Sequence, residues 1–123
     1  MPELPDVEIY LERIRDADIT ERKIKDVKIF SDKIISSDAK KELNKLRDRS
    51  LRKIYRYAKY LVFVNDKIIT AHFAMTGYIE TGNRDEKKDY EILRIIFTNN
   101  TLSFFSKRKL GKIETFRNLE ELK

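Results

Sequence analysis

Cysteine is absent from this 123-residue sequence, and it has only three glycines, two prolines and one histidine. Without cysteine there is no disulfide and no thiolate-ligated zinc, and His72 alone cannot form a metal site. No apolar run approaches the roughly 20 residues that span a bilayer, and the acidic N-terminus lacks the pattern of a secretory signal. We therefore expect a cytoplasmic protein, nucleoid-associated if bacterial or archaeal, without a membrane partner.

Charge is what the sequence has in abundance. Charged residues make up 39% of the chain and hydrophobic residues 41%, which is typical of a folded domain with a highly charged surface. The net charge is +6 and the isoelectric point is about 9.5. A basic domain of this size favours a polyanionic partner such as nucleic acid.

Hydrophobic periodicity predicts a single, mostly β (α+β) domain over residues 1–123. The helical spacing of Val7, Tyr10, Leu11 and Ile14 predicts a helix over 5–16, and a second helix over 36–46 is capped by Ser37 or Asp38. Alternation of apolar and polar residues predicts a strand at 23–30. Further strands are predicted at 51–64, 67–75, 90–98, 101–106 and 111–116, with turns at Gly82, Asn83 and Asn99-Asn100 between some of them, and residues 117–123 resemble the start of a further helix. The expected architecture is a β-sandwich, or a flattened barrel, flanked by two helices.

Both prolines fall within the first five residues, where chain ends usually fray. Pro5 suits the first turn of the predicted helix, because its missing N–H has no helical partner there. Pro2 has no comparable structural reason.

Lysine stands at an unexpected place in the segment 51–64. Strict alternation puts Lys59 on the same strand face as Tyr55, Tyr57, Leu61 and Phe63. The pattern alone favours a β-bulge or a lysine that reaches past the sheet edge. The alternative is a lysine in a functional cleft, in contact with phosphate or a transferred proton.

Two further segments also have ordinary explanations. Basic residues Lys107, Arg108, Lys109 and Lys112 follow an aromatic strand end, which suits a phosphate-binding turn but equally an ordinary solvated one. His72 is most simply a structural hydrogen-bonding residue, and Met75 most simply fills a core.

Four segments taken in order change this interpretation: MPELPDVE (1–8), YAKYLVF (57–63), HFAMTG (72–77) and KRKLGK (107–112). Together they resemble the N-terminal domain of formamidopyrimidine-DNA glycosylases and their endonuclease VIII relatives. The resemblance implies base-excision repair of damaged double-stranded DNA by a bifunctional glycosylase and apurinic/apyrimidinic (AP) lyase that removes oxidised bases such as 8-oxoguanine.

The resemblance also implies residue roles. Pro2, exposed by removal of Met1, would be the nucleophile, Glu3 the acid/base and Lys59 a phosphate and proton contact. Asp6 would support the site, one methylene shorter than the family's usual glutamate. Residues that fill the gap left by a flipped base would be Met75, Arg108, Lys109 and Leu110, where leucine replaces the family's usual phenylalanine.

Family enzymes continue into a helix-two-turn-helix segment and usually a zinc finger, and this sequence contains neither. No cofactor is therefore expected in this chain, because the family's zinc site lies in that further region. A C-terminal half or a partner chain would have to supply these parts. Two alternatives are a non-catalytic remnant that binds damaged DNA and a β-rich RNA-binding or scaffold module.

Overall fold

A computed structural model describes residues 4–73, 77–82, 86–109 and 111–122 of the chain. The three helices are α1 (Leu4–Asp16), α2 (Ser37–Asn44) and α3 (Leu119–Leu122). The eight strands are β1 (Ile24–Ile29), β2 (Lys53–Tyr57), β3 (Tyr60–Val64), β4 (Ile68–Phe73), β5 (Gly77–Thr81), β6 (Glu91–Phe97), β7 (Thr101–Ser106) and β8 (Gly111–Phe116). None of the described helices is long and apolar enough to cross a membrane.

The strands form two four-stranded antiparallel sheets. The first sheet has the order β1-β6-β7-β5 and the second has the order β2-β3-β4-β8. Inward-facing residues such as Phe63, Ile69 and Ile113 from the second sheet meet Leu93 and Phe104 from the first in one hydrophobic core. The predicted β-sandwich is therefore confirmed.

The helices pack at the margins of the sandwich. In α1 the predicted apolar stripe is buried, with Val7, Leu11 and Ile14 all at most 3% exposed, and the helix packs against β5, β2 and β3. On another side α2 packs against β8. Because α1 contacts strands of both sheets, it fastens the N-terminal segment to the sandwich.

Three details differ from the sequence-based predictions. The cap of α2 is Ser36, whose extended backbone lets its hydroxyl accept a hydrogen bond from the N–H of Ala39. The single strand predicted over 51–64 was wrong, because the chain reverses at Ala58 and Lys59 and forms the β2–β3 hairpin. Strand β5, which begins at Gly77 and has only five residues, was not predicted.

Candidate functional site

Turns and strand ends that carry basic residues meet at one end of the sandwich, which we call the basic end. In the second sheet, Phe73 at the end of β4 pairs with Gly111 at the start of β8. In the first sheet, Gly77 at the start of β5 pairs with Ser106 at the end of β7. Because the β7–β8 connection joins Ser106 to Gly111, it bridges the two sheets at this end. We define the basic end by Arg56, Lys59, His72, Lys107, Arg108, Lys109 and Lys112.

Lys59 lies in the two-residue turn of the β2–β3 hairpin and is exposed. The face that strict alternation assigned to Lys59 does not apply, and neither does a β-bulge, since Tyr57 and Tyr60 pair across the turn and leave Lys59 outside both strands. Ala58 adopts a left-handed conformation with φ 52°. The guanidinium of Arg56 donates to the Ala58 carbonyl oxygen at 2.9 Å, which braces the turn under Lys59.

Arg56 also fixes the hairpin to α1, because its guanidinium forms an ion pair with Glu8. Farther along α1, the Tyr10 hydroxyl donates to the carbonyl oxygen of Gly77 at 3.1 Å. The start of α1 is thus held to both sheets at the basic end.

His72 is a functional candidate that the sequence interpretation missed. Its Nε2 is buried and has no hydrogen-bond partner among the described residues, contrary to the structural role expected for it. The ring lies 5.7 Å from that of Tyr60, and His72 pairs in register with Lys112. Burial, and next the positive charge of Lys59, lower the pKa of His72, so that its neutral form is favoured. An unsatisfied buried nitrogen beside lysines suits an external anion better than a purely structural role.

The sequence did contain a signal for this residue, because His72 is the first residue of the HFAMTG segment on which the family resemblance depends. What could not be inferred was its burial beside Lys59 and Lys112, which depends on pairing between β3, β4 and β8.

The β7–β8 connection supplies the other cations. Lys107 and Arg108 are exposed, and Lys109 is half-buried with φ 52°. Gly111, at the start of β8, has φ 92°, a conformation that suits glycine. Within the described part of the chain, Lys59, Lys107, Lys109 and Lys112 form no ion pair, so their charges are available to an anion.

The structure describes only some of the predicted site residues. Pro2, Glu3, Met75 and Leu110 are outside the described residues, and Asp6 is placed only as a residue of α1. Of the predicted site, the structure brings Lys59, Arg108 and Lys109 to the basic end. Among the described residues, no cluster of three His, Asp or Glu side chains could hold a metal ion.

Comparison with known proteins identifies the family. Residues 1–113 match the formamidopyrimidine-DNA glycosylase N-terminal domain. The chain belongs to this family. The formamidopyrimidine-DNA glycosylase of Lactobacillus helveticus is 33% identical over 118 residues, and that of Ligilactobacillus salivarius is 28% identical over 121 residues. Each alignment covers 93% of this chain and 42% of the relative, so the chain spans less than half the length of these glycosylases.

Solved glycosylase structures share the fold. The Lactococcus lactis glycosylase Fpg (MutM), in complex with DNA containing N7-benzyl-Fapy-dG, superposes with a TM-score of 0.81 at 24% identity, over 94% of this chain and 44% of that one. The same enzyme bound non-covalently to DNA with an AP site gives a TM-score of 0.80 at 23% identity, over 94% and 45% of the two chains.

Proposed function

We propose that this chain is the catalytic N-terminal domain of a bifunctional DNA glycosylase and AP lyase that removes oxidised bases from double-stranded DNA. Family membership and the glycosylase relatives support the reaction class. The observation that carries the proposal is the basic end, where the buried Nε2 of His72 has no hydrogen-bond partner in the described part of the chain and lies near the exposed Lys59. A DNA phosphate would supply the missing hydrogen-bond acceptor and the counter-charge together.

The proposed nucleophile is the secondary amine of Pro2 after removal of Met1. The amine nitrogen forms a bond to the sugar C1′ while the glycosidic bond breaks and the damaged base leaves with its bonding electrons. The C1′–O4′ bond then breaks as the proline nitrogen loses its proton and the ring oxygen gains one, which gives an iminium ion at C1′ and a hydroxyl at C4′. Removal of a C2′ proton from this iminium expels the 3′-phosphate and cleaves the strand. An α-amino group has a reference pKa near 8, so on the order of a tenth is already neutral at pH 7.

Glu3 is the proposed acid/base, since opening the sugar ring requires a proton to reach the ring oxygen. Asp6, in the first turns of α1, supports these two residues. The ion pair of Glu8 with Arg56 and the hydrogen bond of Tyr10 to Gly77 hold α1 in place, which would orient the residues that precede it.

Lys59 and His72 are the proposed phosphate contacts. An exposed lysine on a braced turn can follow the backbone of the damaged strand, while the His72 imidazole, which is neutral in the free protein, can donate an N–H to phosphate from a buried position. Because Lys59 is in the β2–β3 turn and His72 is near the end of the adjacent strand β4, the two groups would contact the same stretch of the damaged strand.

The gap left by the flipped nucleotide needs an apolar wedge and a cation to replace lost stacking and pairing. Met75 and Leu110 are the proposed wedges, and Arg108 with Lys109 provides the cations. Arg108 is exposed at the basic end, as this role requires.

The donors for the family's zinc finger are missing from this chain, because it has no cysteine and one histidine. No catalytic step proposed here uses zinc. A second candidate is a non-catalytic DNA-binding remnant of the same fold, which would bind DNA through the same basic end without turnover.

Borohydride trapping on duplex DNA with one abasic site tests the proposal. The wild-type chain, with its free Pro2 verified by mass, is compared with Pro2→Gly, a form that retains Met1, and Lys59→Ala. Lys25→Ala is the matched control, since Lys25 is an exposed lysine on β1 in the other sheet.

The expected result is a covalent adduct with wild type and Lys25→Ala, none when Met1 is retained, and at least a ten-fold lower yield for Lys59→Ala. DNA binding without any adduct would support the remnant instead. Selective binding of RNA would favour the third interpretation, a β-rich RNA-binding module.

A further inference from the structure

Tyr90 combines two unusual properties at the start of β6. It is 45% exposed, and among the described residues only Ile9 is another large apolar side chain so exposed. Its backbone has φ 68°, a left-handed conformation that bulky residues rarely adopt. Glycine or asparagine would fit this position with less strain, so the tyrosine side chain has no evident value for folding alone.

Hydrogen bonds on both sides keep Tyr90 in this conformation. Its carbonyl oxygen accepts from the N–H of Ser106 at 2.9 Å, which ties it to the last residue of β7. The N–H of Glu91 donates to the carbonyl oxygen of Lys88 at 3.2 Å, and the N–H of Lys88 donates to Glu91 Oε1 at 3.1 Å.

A buried ion pair between Arg94 and Glu91 stabilises this arrangement from the interior of the domain. The Arg94 guanidinium donates to both carboxylate oxygens of Glu91 at 2.8 Å, and the two side chains are 1% and 0% exposed. Arg94 also donates to the carbonyl oxygen of Glu86 at 2.9 Å. The segment that presents Tyr90 is therefore anchored to the interior, and the strain at Tyr90 persists because its surroundings impose it.

The tyrosine ring lies beside the basic end. The ammonium nitrogen of Lys107 lies 5.7 Å from the ring centroid of Tyr90. Lys107 immediately precedes Arg108, and Ser106 pairs with Gly77 in the first sheet. Tyr90 is thus on the first-sheet side of the basic end, whereas Lys59 and His72 are on the second-sheet side.

We propose that Tyr90 and Lys107 form a nucleotide-contact site on duplex DNA, in which the tyrosine ring packs on an exposed base or sugar and Lys107 contacts the adjoining phosphate. The inference rests on the proposed function and extends the DNA footprint beyond Lys59, His72 and Arg108. An exposed, rigidly presented aromatic ring paired with a cation has the chemistry that recognises a nucleotide, since every base offers a face for stacking and every nucleotide a negative charge.

Fluorescence anisotropy with the 123-residue chain tests this site. The probe is a labelled duplex that carries one tetrahydrofuran abasic analogue, titrated at several salt concentrations. The variants are Tyr90→Ala, Tyr90→Phe, Tyr90→Gly and Lys107→Ala. Tyr55→Ala is the matched control, because Tyr55 is a half-buried tyrosine of β2 whose ring also has a lysine nitrogen, that of Lys53, at 5.1 Å.

We expect Tyr90→Ala and Tyr90→Gly to weaken binding about ten-fold, as loss of one stacked nucleotide does. Tyr90→Phe retains the ring and should stay within about three-fold of wild type. Lys107→Ala should lower the slope of log affinity against log salt by about one, whereas the tyrosine variants leave that slope unchanged.

Thermal unfolding separates this role from a structural one. Tyr90→Gly relieves the left-handed strain, so we expect it to unfold at a temperature at least as high as Tyr90→Ala while it binds DNA as poorly. A structural role would instead make affinity and stability change together, and that result overturns the inference.

The inference and the proposed function fail differently. Wild-type affinity in Tyr90→Ala, with wild type itself bound to the duplex, overturns the inference and leaves the proposed function intact. No binding by wild type at low salt overturns both.

Discussion

His72 is the only histidine, so it is the only side chain with an ordinary pKa near 6.5. Its burial and the nearby Lys59 lower that pKa, and Lys112 acts in the same direction while Glu114 opposes it. In the free protein the imidazole is therefore neutral at pH 7. A phosphate placed at Nε2 would reverse the balance, because an adjacent negative charge favours the imidazolium form.

DNA binding should therefore take up a proton at His72. We expect affinity for an abasic-site duplex to strengthen as the pH falls below about 7, until the free protein is itself protonated. Anisotropy titrations from pH 7.5 to 5.5 at constant salt measure this, and His72→Asn should flatten the profile. An equally steep profile in His72→Asn would mean that the proton binds elsewhere.

At the scale of elements, the β2–β3 hairpin shows where sequence patterns succeed and fail. Strand-favouring residues between turn signals located β1, β6, β7 and β8 closely, because each of these strands contributes apolar residues to the core. The same signals missed the reversal at Ala58 and Lys59, since neither residue has the turn preference of glycine, asparagine or proline. Likewise, the motifs indicated Lys59 and Arg108, but only the folded sheet reveals that the Nε2 of His72 is buried without a hydrogen-bond partner among the residues that the structure describes.

For this hairpin we predict that the substitution Ala58→Gly stabilises the folded chain. With φ 52°, Ala58 is strained by its Cβ, and glycine should stabilise the chain by up to about 1 kcal/mol. The same substitution at Ala39, inside α2, should instead destabilise by at least about 1 kcal/mol. Urea unfolding measures both, and destabilisation by Ala58→Gly would contradict the strain argument.

For the whole molecule, the net charge of +6 rises as carboxylates protonate, so acid adds repulsion to a basic surface. Most ion pairs of the described residues are exposed to solvent, which screens them, so each contributes little to stability. Glu91 differs, because its carboxylate and the Arg94 guanidinium are both fully enclosed. Protonation of the Glu91 carboxylate would leave the Arg94 guanidinium buried without a counter-charge, and this lowers the stability of the entire sandwich.

Acid unfolding should report this pair directly. Burial raises the pKa of Glu91, but hydrogen bonds from Arg94, Lys88 and Ser103 outweigh it and lower the pKa from 4.5 to about 2. Because the folded chain binds this proton more weakly than the unfolded chain, the contribution is complete above pH 4.5 and is lost as the pH falls toward 2. The free energy of unfolding should therefore fall by roughly 3 kcal/mol across this range in urea unfolding experiments.

A Glu91→Gln/Arg94→Met double variant removes the titrating pair, so its unfolding free energy should fall less steeply with acid. Asp32→Asn, which alters an exposed pair with Lys40, should leave the wild-type steepness nearly unchanged. An unaltered acid profile in the double variant would assign the pH dependence to the surface charges instead.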